Sequence, residues 1–256
     1  MHAEKKKVPA FRVELYKGRR RKVWLVALGF LVITCLWLGS INNDLSAREQ
    51  AQGYTHLFFQ VPLMNCILMP IMLGVIASRL CDMEVKGQTL KLLYTLENKK
   101  SFYNCKFLHE FLYLLLFSLG EMLMFPLFGV MFHYTETLSV MLLLQHTICL
   151  LIVGTAVLTL QHILSLMFEN QIAPLFIGLT GSFVGLFCSF FPPSSTRFVL
   201  WSYFCTFIPY SMSYDRDTRI TTYTPVSFPL VTFILFLLFT ILFYFICRSI
   251  FLKKEV

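Results

Sequence analysis

Residues 78–106 read Ser-Arg-Leu-Cys-Asp-Met-Glu-Val-Lys-Gly-Gln-Thr-Leu-Lys-Leu-Leu-Tyr-Thr-Leu-Glu-Asn-Lys-Lys-Ser-Phe-Tyr-Asn-Cys-Lys and lie between two long apolar runs. From Met83 to Tyr94, apolar residues recur near helical spacing among charged and polar ones, which predicts a short amphipathic helix. Gly87 lowers the helix propensity of this stretch by about 1 kcal/mol relative to Ala. A glycine in such a place usually has a packing or close-approach reason. Ser101 is expected to cap the next helix.

The apolar runs on either side of this segment indicate a membrane protein. The chain has 256 residues, of which 57% are hydrophobic, whereas soluble domains have about 45–50%. A helix needs about 20 apolar residues to cross a bilayer. The sequence therefore predicts an all-α membrane protein with six transmembrane helices: Val23–Ile41, Leu57–Ala77, Phe107–Phe132, Leu138–Met167, Ile172–Phe191 and Val226–Cys247.

Three of these runs carry further expectations. The first is longer than the core of a signal peptide and follows a strongly basic segment, so we expect it to remain as an anchor. The second contains Pro62 and Pro70, which predicts a kinked or broken helix whose freed carbonyls are satisfied by neighbouring helices. The fourth is longer than a span requires, and we expect it to project into the cytoplasm.

The positions of the basic residues predict the orientation. Of 22 Lys and Arg residues, 18 lie in residues 1–22, in residues 78–106 or after residue 247; the four others are Arg48, Arg197, Arg216 and Arg219. Lys and Arg accumulate on the cytoplasmic side of membrane proteins, so both termini and the 78–106 loop are expected there. The net charge of +8 then reflects orientation and attraction to anionic lipid. It does not indicate nucleic-acid binding, because these residues flank spans.

The remaining segments complete a single membrane domain, residues 1–256. Residues 8–22, within the cytoplasmic segment 1–22, are predicted to form an interfacial helix. The extracellular segment 192–225 holds an aromatic stretch, Phe198–Tyr210, that is too short to cross. This stretch predicts a re-entrant or interfacial helix before the sixth span, with Trp201, Tyr203 and Tyr210 at the level of the lipid headgroups.

The sequence lacks the motifs that several kinds of catalysis and metal binding require. None of the 12 glycines is followed by Lys, so there is no phosphate-binding loop, and an ATP-driven process would need a separate ATPase subunit. His109-Glu110 lacks the second histidine of a metalloprotease motif and is interpreted as an interfacial pair in contact with solvent. The eight cysteines stand singly, which indicates neither a disulfide framework nor a zinc site. We therefore predict no catalytic residue and no metal ligand.

Polar residues inside the spans leave two interpretations open. Glu121 lies about halfway along the third span, and Gln145 and His146 lie in the fourth. An ionisable group at such a depth is costly unless it has a partner. The residues either line a substrate path, including a Glu121–His146 interaction, or form interhelical hydrogen bonds that fix the packing. His146 and His162 are too far apart on one helix to share a metal ion.

The chain resembles permease subunits of ABC-2 type transporters, and more narrowly the lantibiotic (bacteriocin) immunity permeases. The resemblance covers nearly the whole length. It rests on Glu14-Leu15-Tyr16-Lys17-Gly18-Arg19-Arg20, on the six predicted spans, on Glu84-Val85-Lys86-Gly87-Gln88-Thr89-Leu90-Lys91-Leu92-Leu93, and on the long outer segment before the last span. Relatives often carry a proline where this chain has Asn98-Lys99-Lys100-Ser101.

This resemblance implies an architecture and partners. The N-terminal segment would be an elbow helix, and the 78–106 loop would hold a coupling helix that seats in an ATPase subunit, with Glu84, Lys86, Gly87, Lys91 and Leu92 at the interface. ATP and Mg²⁺ would be used by that partner, and no cofactor would be bound by this chain. A second permease, either a non-identical homologue or a second copy, would complete the pore in a bacterial plasma membrane.

The resemblance further implies an amphipathic antimicrobial peptide as the substrate, which would be expelled from the membrane to give immunity. A Phe-rich chain with few charges in its spans suits such a cargo better than an ion. Two alternatives remain: a permease for a lipid, drug or cell-wall precursor, and an intramembrane enzyme that uses Glu121 and the histidines of the fourth span.

Overall fold

The computed structural model describes residues 10–43, 46–86, 98–188, 190–191, 197–217 and 220–253. The elements in chain order are α1 (Ala10–Arg20), α2 (Trp24–Asn42), α3 (Ala47–Gln50), α4 (Gly53–Lys86), α5 (Lys99–Met131), α6 (Val140–Met167), α7 (Ile172–Cys188), α8 (Tyr203–Thr206), β1 (Tyr210–Tyr214), β2 (Thr221–Pro225) and α9 (Leu230–Lys253). Helix α1 lies within the segment 8–22 for which an interfacial helix is predicted, and its position at the membrane surface stays a prediction.

Among the described residues, five helices are long and apolar enough to cross a membrane: α2, α4, α5, α6 and α9. They agree with five of the six predicted spans. The predicted span Ile172–Phe191 instead forms α7, which ends at Cys188 after 17 residues. At 1.5 Å per residue, α7 is about 25 Å long, which is shorter than the hydrocarbon core of a typical bilayer.

Helix α4 is the centre of the bundle. It packs against α2, α5, α6 and α7, and 67% of its apolar stretch is buried, compared with 17% for α2 and for α9. Of the two predicted alternatives, a broken span is wrong, because Pro62 and Pro70 both lie inside one continuous helix; a kinked span stays a prediction. Neighbouring helices surround α4 on several sides and can support the backbone where a proline removes a hydrogen bond.

The segment between α4 and α5 lies only partly within the described residues. Met83–Lys86, the start of the predicted amphipathic helix, forms the last turn of α4, and residues 87–97 lie outside the description. Helix α5 begins after Asn98, whose side chain accepts a hydrogen bond from the backbone nitrogen of Lys100 at 2.9 Å. The expectation that Ser101 caps this helix is therefore wrong, since Ser101 lies within its first turn.

The two ends of the bundle differ in their structure. At one end, α1 packs on α5 near the end of α4, and we call this the α1 end. At the other end, β1 and β2 form an antiparallel hairpin in which Tyr210 pairs with Pro225 and Tyr214 with Thr221. We call this the hairpin end. The hairpin was not predicted, and the predicted outer helix is reduced to a 3₁₀ turn, Leu200–Ser202, followed by α8.

Candidate functional site

Four charged side chains meet at the α1 end. Two of them belong to α1, and the other two belong to the helices that precede and follow the undescribed residues 87–97. We call Glu14, Lys17, Glu84 and Lys106 the junction network. The ammonium group of Lys106 donates to Oε2 of Glu84 (2.9 Å), to Oε2 of Glu14 (3.3 Å) and to the carbonyl oxygen of Leu80 (2.7 Å). Lys17 donates to Oε1 of Glu14 (2.7 Å) and of Glu84 (3.2 Å). The network thus joins α1, α4 and α5.

The network consists of two carboxylates and two ammonium groups, and three of the four side chains are buried. Lys106 has no exposed surface, and Glu84 is only 2% exposed. Burial by itself would raise the pKa of Glu14, but the charges of Lys106 and Lys17 outweigh burial and lower that pKa. Burial likewise opposes the charge of Lys17, but its bonds to Glu14 and Glu84 raise the pKa of this amine. Glu14 and Lys17 are therefore both charged near neutral pH.

Close packing and a further hydrogen bond seat α1 on the bundle. Gly18 lies against the ring of His109 on α5, where a Cβ atom would overlap the imidazole. Just beyond α1, Nη1 of Arg21 donates to the carbonyl oxygen of Arg79 at 2.9 Å. These contacts hold α1 across the adjoining ends of α4 and α5.

Only some of the residues predicted to form the ATPase interface lie within the described part of the chain. Glu84 points into the junction network, and its bonds to Lys17 and Lys106 join α4 to α1 and α5. Lys86 is the last residue of α4. Gly87, Lys91 and Leu92 lie outside the described residues.

His109 and Glu110 are both buried, so the interpretation of this pair as solvent-facing is wrong. Glu110 instead meets side chains from two other helices. Its Oε1 accepts a hydrogen bond from the thiol of Cys81 at 3.5 Å, and its Oε2 lies 2.8 Å from Nδ1 of His162. Sequence reasoning missed this triad because its members are far apart in the chain and belong to three helices, α4, α5 and α6.

A second buried cluster lies nearer the hairpin end and contains the predicted residues Glu121 and His146. Nε2 of His146 is 2.9 Å from Oε1 of Glu121, and the amide of Asn65 donates to the same oxygen at 2.8 Å. Gln145 is half-buried beside them. The cavity bordered by Asn65 and His146 has a volume of about 10 Å³, which is room for about one water molecule. The arrangement therefore supports helix packing more directly than an open path.

The three aromatic residues predicted to lie at the level of the lipid headgroups belong to different elements and have different neighbours. Trp201 packs against Gly181 and Gly185 of α7, where Cβ atoms would overlap its ring and its Cβ atom, respectively. These glycines thus accommodate an indole ring. Tyr203 stacks on Phe236 of α9, with ring centroids 4.0 Å apart. Tyr210 begins β1.

An apolar cavity of about 590 Å³ lies between this outer segment and α9. Its walls include Leu200, Tyr203 and Leu235, and Arg197 contributes a positive charge. The volume is within the range of roughly 300–1,000 Å³ typical of ligand sites. The cavity is able to accept an apolar group that has an anionic or hydrogen-bonding end.

Comparison with known proteins agrees with this architecture. The family model described as ABC-2 family transporter protein matches residues 10–185, from the start of α1 into α7. No curated protein matches the chain. The family match covers more than half of the sequence and includes the whole junction network. The chain belongs to the ABC-2 transporter family and is a membrane-spanning permease subunit of an ABC transporter.

Proposed function

We propose that a separate ATP-binding subunit acts on this permease through residues 87–97, and that the junction network passes the force to the membrane helices. The observation that supports this proposal is the position of Lys106 between Glu84 and Glu14. Glu84 lies three residues before the segment, and Lys106 lies nine residues after it. Movement of the segment therefore acts on α4 and α5 together.

The packing of α4 provides a route for that movement. Helix α4 is the central helix and contacts α6 and α7 as well as α5. Energetic coupling between distant sites can travel through rigid helices joined by ion pairs and packed side chains. In this scheme Glu84 and Lys106 fasten the segment to the bundle, whereas Lys86, Gly87, Lys91 and Leu92 are proposed to bind the partner.

The test is a charge reversal within the segment. Lys91→Glu combined with Leu92→Ala should reduce co-purification of the ATP-binding subunit, and any complex that forms should hydrolyse ATP without transport. Lys253→Glu is the matched control, because it reverses an exposed charge at the last residue of α9, outside the segment. Normal assembly and transport in the Lys91/Leu92 variant would reject the docking role.

We further propose an amphipathic antimicrobial peptide as the cargo, with export or expulsion from a bacterial plasma membrane giving immunity. The cavity near Arg197 supports this cargo, because it combines a large apolar surface with one cationic group. A lipid, drug or cell-wall precursor has similar chemistry and is the alternative. Selective sensitisation of a deletion strain to a lantibiotic-type peptide, with unchanged lipid and drug phenotypes, would distinguish these cargoes.

An intramembrane enzyme is the third candidate, and the Glu121–His146 cluster is the feature to test. The adjoining cavity has room for about one water molecule but not for a substrate. We therefore expect the wild type to show no chemical activity of its own, and combined replacement of Glu121, His146 and His162 by glutamine should not change this. A substrate that the wild-type chain converts alone, and the variant does not, would favour the enzyme.

The pore is proposed to need two permeases, of which this chain is one. Its partner is either a non-identical homologue or a second copy. Co-purification of two differently tagged copies from one cell distinguishes the two: recovery of both tags in one complex supports the homodimer, and recovery of one tag with a different permease supports the heteromer.

A further inference from the structure

Three side chains that commonly bind transition metals come together inside the bundle. Cys81 of α4, Glu110 of α5 and His162 of α6 each offer one ligand atom, and these atoms all lie within 4.8 Å of one another. All three side chains are fully buried. The cluster is adjacent to the junction network, because Cys81 precedes Glu84 by three residues and Glu110 follows Lys106 by four.

The distances suit a shared ion. Bonds from zinc to nitrogen, oxygen and sulfur are about 2.0–2.3 Å long, so two ligands on one ion lie about 3–4 Å apart. Sγ of Cys81 is 3.5 Å from Oε1 of Glu110, and Nδ1 of His162 is 2.8 Å from Oε2. The glutamate therefore already turns one oxygen to each of the other two ligands, and small shifts would admit an ion between them.

A second observation concerns the other side of the histidine ring. Nε2 of His162 is buried without a hydrogen-bond partner among the described residues, and so is the hydroxyl group of Tyr103. The two rings are in contact, with centroids 4.6 Å apart. A histidine that binds a metal through one nitrogen usually donates its other N–H to an acceptor. The phenol oxygen of Tyr103 is available for this purpose.

We propose that Cys81, Glu110 and His162 bind one Zn²⁺ ion. Sulfur, nitrogen and oxygen donors together suit Zn²⁺, whereas Mg²⁺ and Ca²⁺ prefer oxygen alone. On binding, the thiol of Cys81 loses its proton to solvent, and His162 binds as the neutral tautomer protonated at Nε2. The thiolate and carboxylate then balance the two charges of the ion. Three protein ligands leave one position for water.

Nearby charges do not oppose this arrangement. The ammonium group of Lys106 belongs to the same helix as Glu110, one turn before it, and is engaged by Glu84, Glu14 and the carbonyl of Leu80. Its charge is thus offset within the junction network. A bound ion would join α4, α5 and α6 about one turn inside that network, and would stiffen the part of the bundle that receives force from residues 87–97.

The same bundle offers an internal control. Glu121 and His146 form another buried carboxylate–imidazole pair, 2.9 Å apart, also between α5 and α6. There the third side chain is Asn65, whose amide nitrogen donates to the carboxylate. An amide N–H group does not bind zinc, and this cluster has no thiolate, so it lacks the set of ligands proposed for Cys81, Glu110 and His162. His146→Gln should therefore leave zinc binding unchanged.

Zinc titration of the purified full-length chain in mild detergent tests the proposal. After treatment with a chelator, the wild type should take up one Zn²⁺ per chain in competition with a chromophoric indicator. Cys81→Ser, Glu110→Gln and His162→Gln should each weaken binding by at least about tenfold, whereas His146→Gln should bind as the wild type does. Co²⁺ should give a thiolate charge-transfer band in the wild type that is lost in Cys81→Ser.

The wild-type titration decides the proposal even if a variant fails to fold. Absence of stoichiometric Zn²⁺ uptake by the wild type would overturn it. It would also be overturned by equal binding in Cys81→Ser, or by equal loss in a His146→Gln variant that still unfolds cooperatively, since either result would place the ion elsewhere. None of these outcomes depends on transport or on an ATP-binding partner.

Discussion

Lys106 illustrates how one residue can have two explanations at different scales. In the sequence it is one of the basic residues from which the orientation in the membrane is predicted. In the structure it is fully buried and donates to two carboxylates and a carbonyl oxygen. A buried ion pair adds little net stability compared with an apolar pair, but the loss of one partner leaves an uncompensated charge. The residue is therefore best tested by removing its charge.

Lys106→Met should destabilise the protein by about 3–5 kcal/mol, because Glu84 and Glu14 then remain buried without their shared ammonium group. Thermal unfolding in detergent measures the effect. Lys100→Met is the matched control, since Lys100 is exposed on the same helix, and it should change stability by less than about 0.5 kcal/mol. Adding Glu84→Met to Lys106→Met should recover part of the loss. Equal effects of the two single variants would contradict the role of the network.

The junction network also predicts a dependence on pH. The pKa of Glu14 is lowered from an ordinary value of 4.5, so its contribution to stability is present above pH 4.5 and is lost as the pH falls through the lowered pKa. The pKa of Lys17 is raised from 10.5, so its contribution is present below pH 10.5 and is lost as the pH rises through the raised pKa.

The difference in melting temperature between the wild type and Glu14→Gln should therefore be constant from neutral pH down to about 4.5 and then shrink. For Lys17→Met, the difference should shrink only at strongly alkaline pH. Melting curves across the pH range provide the measurement. A Glu14→Gln difference that disappears between pH 6 and pH 8 would show that another group controls the attachment of α1.

At the scale of elements, the packing of α1 on α5 depends on the absence of a side chain at Gly18. Gly18 lies directly against His109 of α5, and Tyr113 lies nearby. The sequence predicts an interfacial helix over residues 8–22, but pattern alone cannot identify which neighbour comes close to Gly18. That information depends on how α1 crosses α5, which the contacts of both helices determine together.

Gly18→Ala should loosen α1 from the bundle, because the added Cβ atom would overlap the His109 ring. Alanine is intrinsically better than glycine in a helix by about 1 kcal/mol, so a destabilising result would have the opposite sign to the propensity effect. Limited proteolysis after α1 and thermal unfolding measure the change. Gly29→Ala on α2 is the control, since no atom lies within 4 Å of its new methyl group. A stabilising effect of Gly18→Ala would contradict the close contact.

The outer segment shows a second limit of pattern reasoning. Its aromatic residues predicted a helix, but the structure forms only short turns, and Trp201 fills a groove over Gly181 and Gly185. The packing of the indole on α7 replaces the long interfacial helix that was expected. The following polar stretch alternates Tyr, Ser and Thr with other residues and forms the β1–β2 hairpin, a pattern that β-propensity could have indicated.

At the scale of the whole molecule, the bundle has functional features at both ends. The junction network is at the α1 end, and the cavity of about 590 Å³ is beside the outer segment, which leads into the hairpin. Helices α2 and α9 are mostly exposed and apolar, as expected for helices that face lipid or another permease. This separation predicts that changes at the cavity affect cargo choice without affecting attachment of the ATPase.

Leu235→Trp should fill the cavity and reduce resistance to the proposed peptide cargo severalfold, while an ATP-binding subunit should still co-purify at the wild-type level. Leu242→Trp is the control, because Leu242 lies seven residues further along α9 and is equally exposed but does not line the cavity. Growth inhibition by the peptide measures resistance. Unchanged resistance in Leu235→Trp, or loss in both variants, would show that this cavity does not select the cargo.

Hydropathy and charge along the chain were sufficient to predict a helical membrane protein, five of its long spans and the helix α1. Formation of a helix or a span depends on residues that are neighbours in the sequence and on their transfer into lipid. Only folding in three dimensions brought Glu14, Glu84 and Lys106 into one ion-pair network, and joined Cys81, Glu110 and His162. Such contacts depend on the rotation and depth of each helix against the others. That relation is set by packing across the whole bundle, so no single stretch of sequence contains it.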